Sequence, residues 1–236
     1  MKNLLVAFGT ISKIPVPTVK KINIKRSTIY FPVVGYAASL INFGIYFLLK
    51  DYLPTNVLIS LIMIVYFYLF QYFHFDGFVD LIDGFGAQIK TKEERLNILK
   101  DSRVGAFALL GGVLYILFLF NLMSSIPKGF LLAPVFSRYT MNFLLTISKP
   151  ARKDGLGKMY FPYPKFYFLL SLIFIIPIAF FNIKIFIIGI ASSMISAIFM
   201  NRISNKKIEG VTGDVIGASA VISEVVYLFI LNIKII

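Results

Sequence analysis

The chain has no cysteine, no tryptophan and a single histidine in 236 residues. Without cysteine there are no disulfides, thiolate metal sites or cysteine nucleophiles. One histidine excludes a multi-histidine zinc site. Charge is also scarce: Asp, Glu, Lys and Arg make up 15% of the residues, where a typical soluble domain has about 25%. Hydrophobic residues reach 58%, and the mean hydropathy is +0.83. A soluble globular domain is therefore excluded, and so is a disordered chain, which depends on low hydrophobicity. No internal repeat or low-complexity tract is visible. The first 28 residues are too basic, and their apolar run at 4–8 too short, for a secretory signal.

What the chain does contain is long apolar runs. A helix needs about 20 apolar residues to cross a bilayer core about 30 Å thick. Seven segments qualify, at 30–49, 57–73, 104–123, 129–148, 166–181, 185–201 and 215–233. The second, fifth and sixth are short, which leaves a re-entrant segment open as an alternative. The expectation is an all-α integral membrane protein, a polytopic bundle of about seven transmembrane helices in a single domain over 1–236. The lipid bilayer is then its first partner.

The net charge is +13. In a soluble protein that would point to nucleic acid, but here it follows topology. The connections on one side carry nineteen Lys and Arg, those on the other carry four, and Arg138 lies within a span. The asymmetry predicts a cytoplasmic N-terminus and an external C-terminus. Nucleic acid is not an expected partner. Nine of the eleven carboxylates fall on the same side as the excess lysine, and topology alone does not require them.

The densest carboxylate block is His74-Phe-Asp76-Gly-Phe-Val-Asp80-Leu-Ile-Asp83-Gly84. Spacings of i, i+4 and i+7 put Asp76, Asp80 and Asp83 within an arc of about 60° on one helix face. Like charges so placed repel one another, and a cation would offset that. Oxygen ligands suit Mg²⁺ or Mn²⁺, and Mg²⁺ commonly combines one or two carboxylates with waters and substrate phosphates. The block reads as a phosphate-handling site at the inner mouth of the second helix, against the simpler reading of a solvated acidic face. His74, two residues from Asp76, is either a base or a group that orients an aspartate. Downstream, Lys100-Asp101-Ser102-Arg103-Val-Gly105 enters the third span. Asp101 could add a ligand or act as a base, and Lys100 and Arg103 could hold phosphate oxygens. The alternative is an ordinary charge cluster at the membrane boundary. Between the two motifs, Thr91-Lys-Glu-Glu94 reads as an N-capped amphipathic helix, which assigns Glu93 and Glu94 to capping and solvation. On the phosphate-handling reading, residues 74–105 are expected to form an Asp-rich catalytic segment at the cytoplasmic face.

Two further charges lie about 15 Å deep, Arg138 in the fourth span and Glu224 in the seventh. Intramembrane charges face the bundle interior or a wet cavity. They read either as a mutual ion pair or as a substrate cavity in which Arg138 binds an anion. The last polar group is Thr212-Gly213-Asp214-Val-Ile-Gly217. The N–H groups at that helix start suit an anion, or Asp214 caps the helix.

Taken together, these motifs closely resemble the cobalamin synthase family, the adenosylcobinamide-GDP ribazoletransferases. The match runs in order from Ile14-Pro15-Val16-Pro17 through the His74–Asp83 block, Lys100–Gly105 and Ser137-Arg138 to Thr212-Gly213-Asp214. One departure is 85–88, where the family often has more glycine. The resemblance implies a membrane enzyme of the cell membrane with its active site facing the cytoplasm. It would transfer the adenosylcobinamide-phosphate moiety from adenosylcobinamide-GDP to α-ribazole or α-ribazole 5′-phosphate, releasing GMP with Mg²⁺ as cofactor. It implies that Asp76, Asp80 and Asp83 hold the metal and that Asp101 and His74 act in catalysis. Lys100, Arg103, Arg138 and Asp214 would then contact substrate. The nearest rival is a CDP-alcohol phosphotransferase, whose motif opening Asp80-x-x-Asp83-Gly-x-x-Ala87 follows. Gln88, Asn97 and Gly105 replace that family's arginine, glycine and final aspartate. A transporter is disfavoured because most of the charge sits at one membrane face.

Overall fold

A computed structural model of the chain describes residues 1–20, 22–86, 88, 91–101, 103–126 and 129–233. Lys21, Lys90, Lys128 and Lys234 of the charge count, Ala87 of the rival motif and Ser102 lie outside the described residues. In chain order the helices of more than four residues are α1 (Lys2–Ile11), α2 (Ile24–Leu49), α3 (Thr55–Gly86), α4 (Lys92–Ile98), α5 (Ala106–Ser125), α6 (Gly129–Ile147), α7 (Phe166–Leu172), α8 (Ile176–Phe181), α9 (Ile183–Ile208) and α10 (Gly213–Asn232), and one helical turn at Leu156–Met159 lies in the loop between α6 and α7. Among the described residues the only β pairing is an isolated parallel bridge between Pro150 and Val211. Helices α2, α3, α5, α6, α9 and α10 are each long and apolar enough to cross a membrane. The protein is an all-α, multi-pass membrane bundle.

Composition decides which helices lie inside. Helices α2, α5 and α9 turn large apolar side chains outward, among them Leu40, Phe47, Leu109, Ile187 and Phe199. Helices α6 and α10 carry the small and hydroxyl residues and lie at the centre, packed on each other and on α9. Small residues let helix backbones approach in a membrane, and polar ones bond across the contact. Thr140 Oγ1 of α6 lies 2.7 Å from Ser223 Oγ of α10. Ser193 of α9 donates to the Phe136 carbonyl at 3.0 Å, and Asn142 donates to the Thr28 carbonyl at 2.9 Å.

The segment expected to span at 166–181 is not one helix. It breaks at 173–175 into α7 and α8, where the bonds turn to i→i−3 geometry. Pro177 accounts for the break: it has no N–H to give the Ile173 carbonyl, and its ring crowds that turn. The two ends of the segment lie at opposite ends of the bundle. The C-terminus of α9 meets the 149–151 strip through Ala151 and Val211, so the N-terminus of this 26-residue helix lies about 39 Å away. The segment therefore runs the length of the bundle as a broken helix and does not fold back on itself.

Helix α3 differs from expectation in the other direction. The second span was expected to end near residue 73, yet the helix runs for 32 residues to Gly86. That is about 48 Å, roughly 18 Å more than a hydrocarbon core. The aspartates do not stop it because they share one face, leaving the others free to pack. Its ladder is interrupted by a π-helical turn at Phe67–Gln71, a feature that re-aims carbonyls. Lys13 N–H donates to the Leu69 carbonyl at 2.7 Å. Arg138 Nη2 donates to the Phe70 carbonyl, also at 2.7 Å.

Arg138 belongs to a buried network that joins three helices. Its Nη1 lies 2.7 Å from Glu224 Oε1, and also bonds Tyr66 Oη at 2.6 Å and Ser137 Oγ at 2.8 Å. The Tyr66 hydroxyl donates to the same Glu224 oxygen. Gln71 Nε2 donates to the other at 2.6 Å. Of the two readings the sequence left open for these charges, the geometry is that of the ion pair.

Removing one partner of a buried pair leaves an uncompensated charge and costs on the order of 3–5 kcal/mol. Arg138→Met should lower unfolding stability by about that much in a detergent titration. The Arg138→Met/Glu224→Met double variant should lose less than either single variant. Equal stability of wild type and Arg138→Met would contradict the network's role.

Candidate active site

Past the π turn, α3 and α10 run antiparallel at close range. A Cβ on Gly77 would stand 2.7 Å from Asp214 Cα, and one on Gly217 would stand 3.1 Å from His74 Cα. Only glycine at 77 allows the two backbones to meet there. The contact places the start of α10 beside the acidic face of α3. Asp80 lies within electrostatic range of Asp76, Asp214 and Asp83.

The start of α10 is anchored from the other side by the 149–160 loop. Ala151 N–H donates to the Val211 carbonyl at 3.0 Å, and Val211 N–H to the Lys149 carbonyl at 2.8 Å. Thr212 is the N-cap of α10, accepting from Val215 N–H at 3.4 Å. Asp214 Oδ2 accepts from the Thr212 hydroxyl at 3.0 Å and from Arg152 Nη2 at 3.3 Å. Asp214 therefore sits in the first turn without being the cap.

Between these elements lies a cavity of about 550 Å³, within the range of small-molecule sites. Gly9, Thr10 and Ile11 of α1 form one wall; Phe73, His74 and Asp76 of α3 form another. Met141, Tyr160 and Leu99 contribute apolar surface. Arg152, Asp154 and Lys158 of the loop, with Thr212, Gly213 and Asp214 of α10, complete it. His74 is 3% exposed, and its Nε2 has no hydrogen-bond partner among the described residues.

The structure brings together His74, Asp76 and Asp214 on the cavity and sets Asp80 beside them. The remaining candidates lie elsewhere. Asp83 accepts from Gly105 N–H at 2.6 Å and Ala108 N–H at 2.9 Å. Gly105 is the N-cap of α5 and has no side chain, so Asp83 caps that helix from a distance. Lys100 stands 3.6 Å from Asp154 at the cavity rim. Asp101 is gripped by Arg103 through Nε at 3.0 Å and Nη2 at 2.5 Å. That guanidinium holds the Asp101 carboxyl down at about 2, far from the neutral range that suits a general base. Neither Asp101 nor Arg103 lines the cavity. Arg138 is enclosed in its ion pair. The Thr91–Glu94 capping box forms as expected and starts α4.

The sequence reading passed over the loop at 152–158. Its Arg152, Lys153 and Lys158 entered only the charge count, although two glycines among four charged residues are themselves a signal of a ligand-contacting loop. Among the described residues no three His, Asp or Glu side chains form a ready-made metal site. A divalent ion here would draw on Asp76, Asp80 and Asp214 for one or two oxygens and on substrate phosphates for others. That donor set fits Mg²⁺.

Fold and cavity together define a polytopic membrane protein with a carboxylate-rich, nucleotide-sized site at one end of its bundle. The profile of the cobalamin-5-phosphate synthase family matches residues 3–232. A Fervidobacterium nodosum protein named adenosylcobinamide-GDP ribazoletransferase is 40% identical over 98% of this chain and 97% of its own length. Proteins of the same name from Thermosipho melanesiensis and Kosmotoga olearia are 39% and 38% identical, over 98% and 94% of this chain and equal shares of their own. No solved structure matches. The chain belongs to the cobalamin-5-phosphate synthase family.

The capping role of Asp83 is testable apart from catalysis. Asp83→Ala should cost about 0.5–2 kcal/mol of stability, as for other lost caps. It should also speed amide exchange at Gly105 and Ala108. Asp83→Asn, which keeps one acceptor, should recover part of both. Unchanged exchange at these two amides would contradict the assignment.

Proposed function

We propose that this chain transfers the adenosylcobinamide-phosphate moiety of adenosylcobinamide-GDP to α-ribazole or α-ribazole 5′-phosphate, releasing GMP. The observation that carries this reading is the near full-length match to relatives bearing that enzyme name. The cavity at the α3–α10 crossing supports it chemically. An acceptor hydroxyl oxygen attacks the cobinamide-side phosphorus and a new P–O bond forms. The bond from that phosphorus to the bridging oxygen breaks, and GMP leaves with the electron pair. Such transfers depend mainly on positioning and charge neutralisation.

In this proposal Asp76 and Asp80 hold Mg²⁺, with Asp214 as a third donor or substrate contact. Bound there, the ion would neutralise charge on the diphosphate. His74 Nε2, unpartnered at the cavity wall, takes the proton of the attacking hydroxyl. Asp83 acts indirectly by fixing the loop that returns to α5. Lys100 ties the loop at Asp154.

The same proposal puts the site on the cytoplasmic face of the cell membrane. The basic connections gather at the cavity end, as Lys92–Glu209, Lys100–Asp154 and Lys207–Phe85 contacts illustrate. Charge of that sign is retained inside.

The test is nucleotide release by lipid-reconstituted protein with Mg²⁺. Adenosylcobinamide-GDP plus α-ribazole should yield GMP and a cobamide. Asp76→Ala and Asp80→Ala should nearly abolish turnover, and His74→Gln should lower kcat by about 10²–10⁴, all with the protein folded in the membrane. CMP release from CDP-diacylglycerol and an alcohol, with no GMP from the first pair, would overturn the reading.

A further inference from the structure

We infer that the 152–158 loop and the first turn of α10 form a cradle for the donor's diphosphate, with Arg152 and Lys158 as its specificity-determining cations. The inference rests on the reading of the cavity as the transferase site and adds residues to it. Four observations carry it.

First, the 152–158 loop packs backbone to backbone on the start of α10 at Gly157 and Gly213. A Cβ on Gly157 would stand 2.6 Å from Gly213 N, and one on Gly213 would stand 3.7 Å from Gly157 N. A side chain at 157 would collide with the Thr212 and Gly213 backbone, so glycine there lets the loop close on the start of α10 beside the cavity. Gly155, at φ +84°, makes the left-handed turn that leads into this contact.

Second, α10 is 20 residues long, and the leading N–H groups of such a helix lack intrahelical acceptors and favour anions. Third, His74 lines the same cavity, and its buried Nε2 has no partner among the described residues. An enclosed polar atom of that kind calls for a ligand, water or ion beside it.

Fourth, the charges around the cavity leave cations available. Asp154 is matched by Lys100 and Asp214 by Arg152. Arg152 uses one Nη2 contact of its five donors on Asp214. Lys158 is exposed on the cavity wall and forms no ion pair among the described residues. The remaining carboxylate, Asp76, is one of the proposed Mg²⁺ ligands, which converts it from repulsion to attachment for phosphate. The cavity's volume suits a mononucleotide-sized group with its phosphates. The corrinoid, with its adenosyl group, then stays outside the mouth.

Two measurements test this. Inorganic pyrophosphate with Mg²⁺ should raise the thermal stability of the detergent-solubilised protein. Lys158→Gln, at an exposed position that the fold tolerates, and Arg152→Gln should each raise the apparent pyrophosphate Kd by about ten-fold or more, as expected for loss of a charge-assisted hydrogen bond. In turnover assays both substitutions should raise KM for adenosylcobinamide-GDP more than they lower kcat. KM for α-ribazole should be unchanged. A rise confined to KM for α-ribazole 5′-phosphate would overturn the diphosphate assignment in favour of the acceptor's phosphate. Undiminished pyrophosphate binding by both variants would overturn the cradle while wild-type turnover upheld the transferase. Pyrophosphate binding through these residues in a protein that released no GMP would uphold the cradle and reject the transferase.

Discussion

The bundle depends on one buried ion pair. Arg138 and Glu224 sit at the level of the π turn of α3, so α3, α6 and α10 meet through charge in a region that otherwise excludes it. A charge at that depth is costly unless its partners are fixed. Tyr66, Ser137 and Gln71 supply partners from two of those helices. The same guanidinium takes the Phe70 carbonyl of the π turn. The network therefore fixes the vertical register of α3 against α10. A sliding motion of either helix would leave a charge and a carbonyl without partners.

Register in turn builds the site. From the anchored level, antiparallel travel brings His74 to Gly217 and Gly77 to Asp214. Those two contacts carry the aspartate face of α3 to the first turn of α10. The three aspartates, spaced four and then three residues apart, then take different work. Asp76 opens onto the cavity, Asp80 stands among the other carboxylates, and Asp83 turns to the amides that begin α5. The N-terminal segment is drawn into the same arrangement. Lys13 bonds the Leu69 carbonyl of the π turn, and its ammonium stands 3.3 Å from the centroid of the Tyr72 ring. Gly9 to Ile11 are thereby laid along the cavity.

Most of the helical architecture was legible because bilayer thickness imposes a length on apolar runs. The 60° arc of Asp76, Asp80 and Asp83 was legible from helical period alone, as was the Thr91 capping box. The misjudged boundaries share a cause. The end of α3 was placed at the first polar residues, but a helix continues through polar residues when they share one face. Pro177 marked the break between α7 and α8, though the largely apolar run at 166–181 masked it. Period could not show that Gly105 lacks a cap of its own, and so that Asp83 would supply one. Nor could it show that Asp101 and Arg103, two residues apart, would close on each other. The loop at 152–158 escaped notice because its charges served the topology argument equally well. Its place on the cavity depends on the Pro150–Val211 bridge, a contact between residues some sixty positions apart.

The central claim is that the cavity where α3 meets α10 is where the donor binds. The chain has no native cysteine, so a single introduced thiol reports its own site. Leu156 lines the cavity and is exposed, whereas Tyr52 lies in the turn at the opposite end of the bundle. Maleimide labelling of Leu156→Cys and Tyr52→Cys would be timed with and without adenosylcobinamide-GDP and Mg²⁺. The account predicts that the donor slows labelling at 156 and leaves 52 unchanged. Equal labelling rates at 156 with and without the donor, in a variant that still releases GMP, would contradict it.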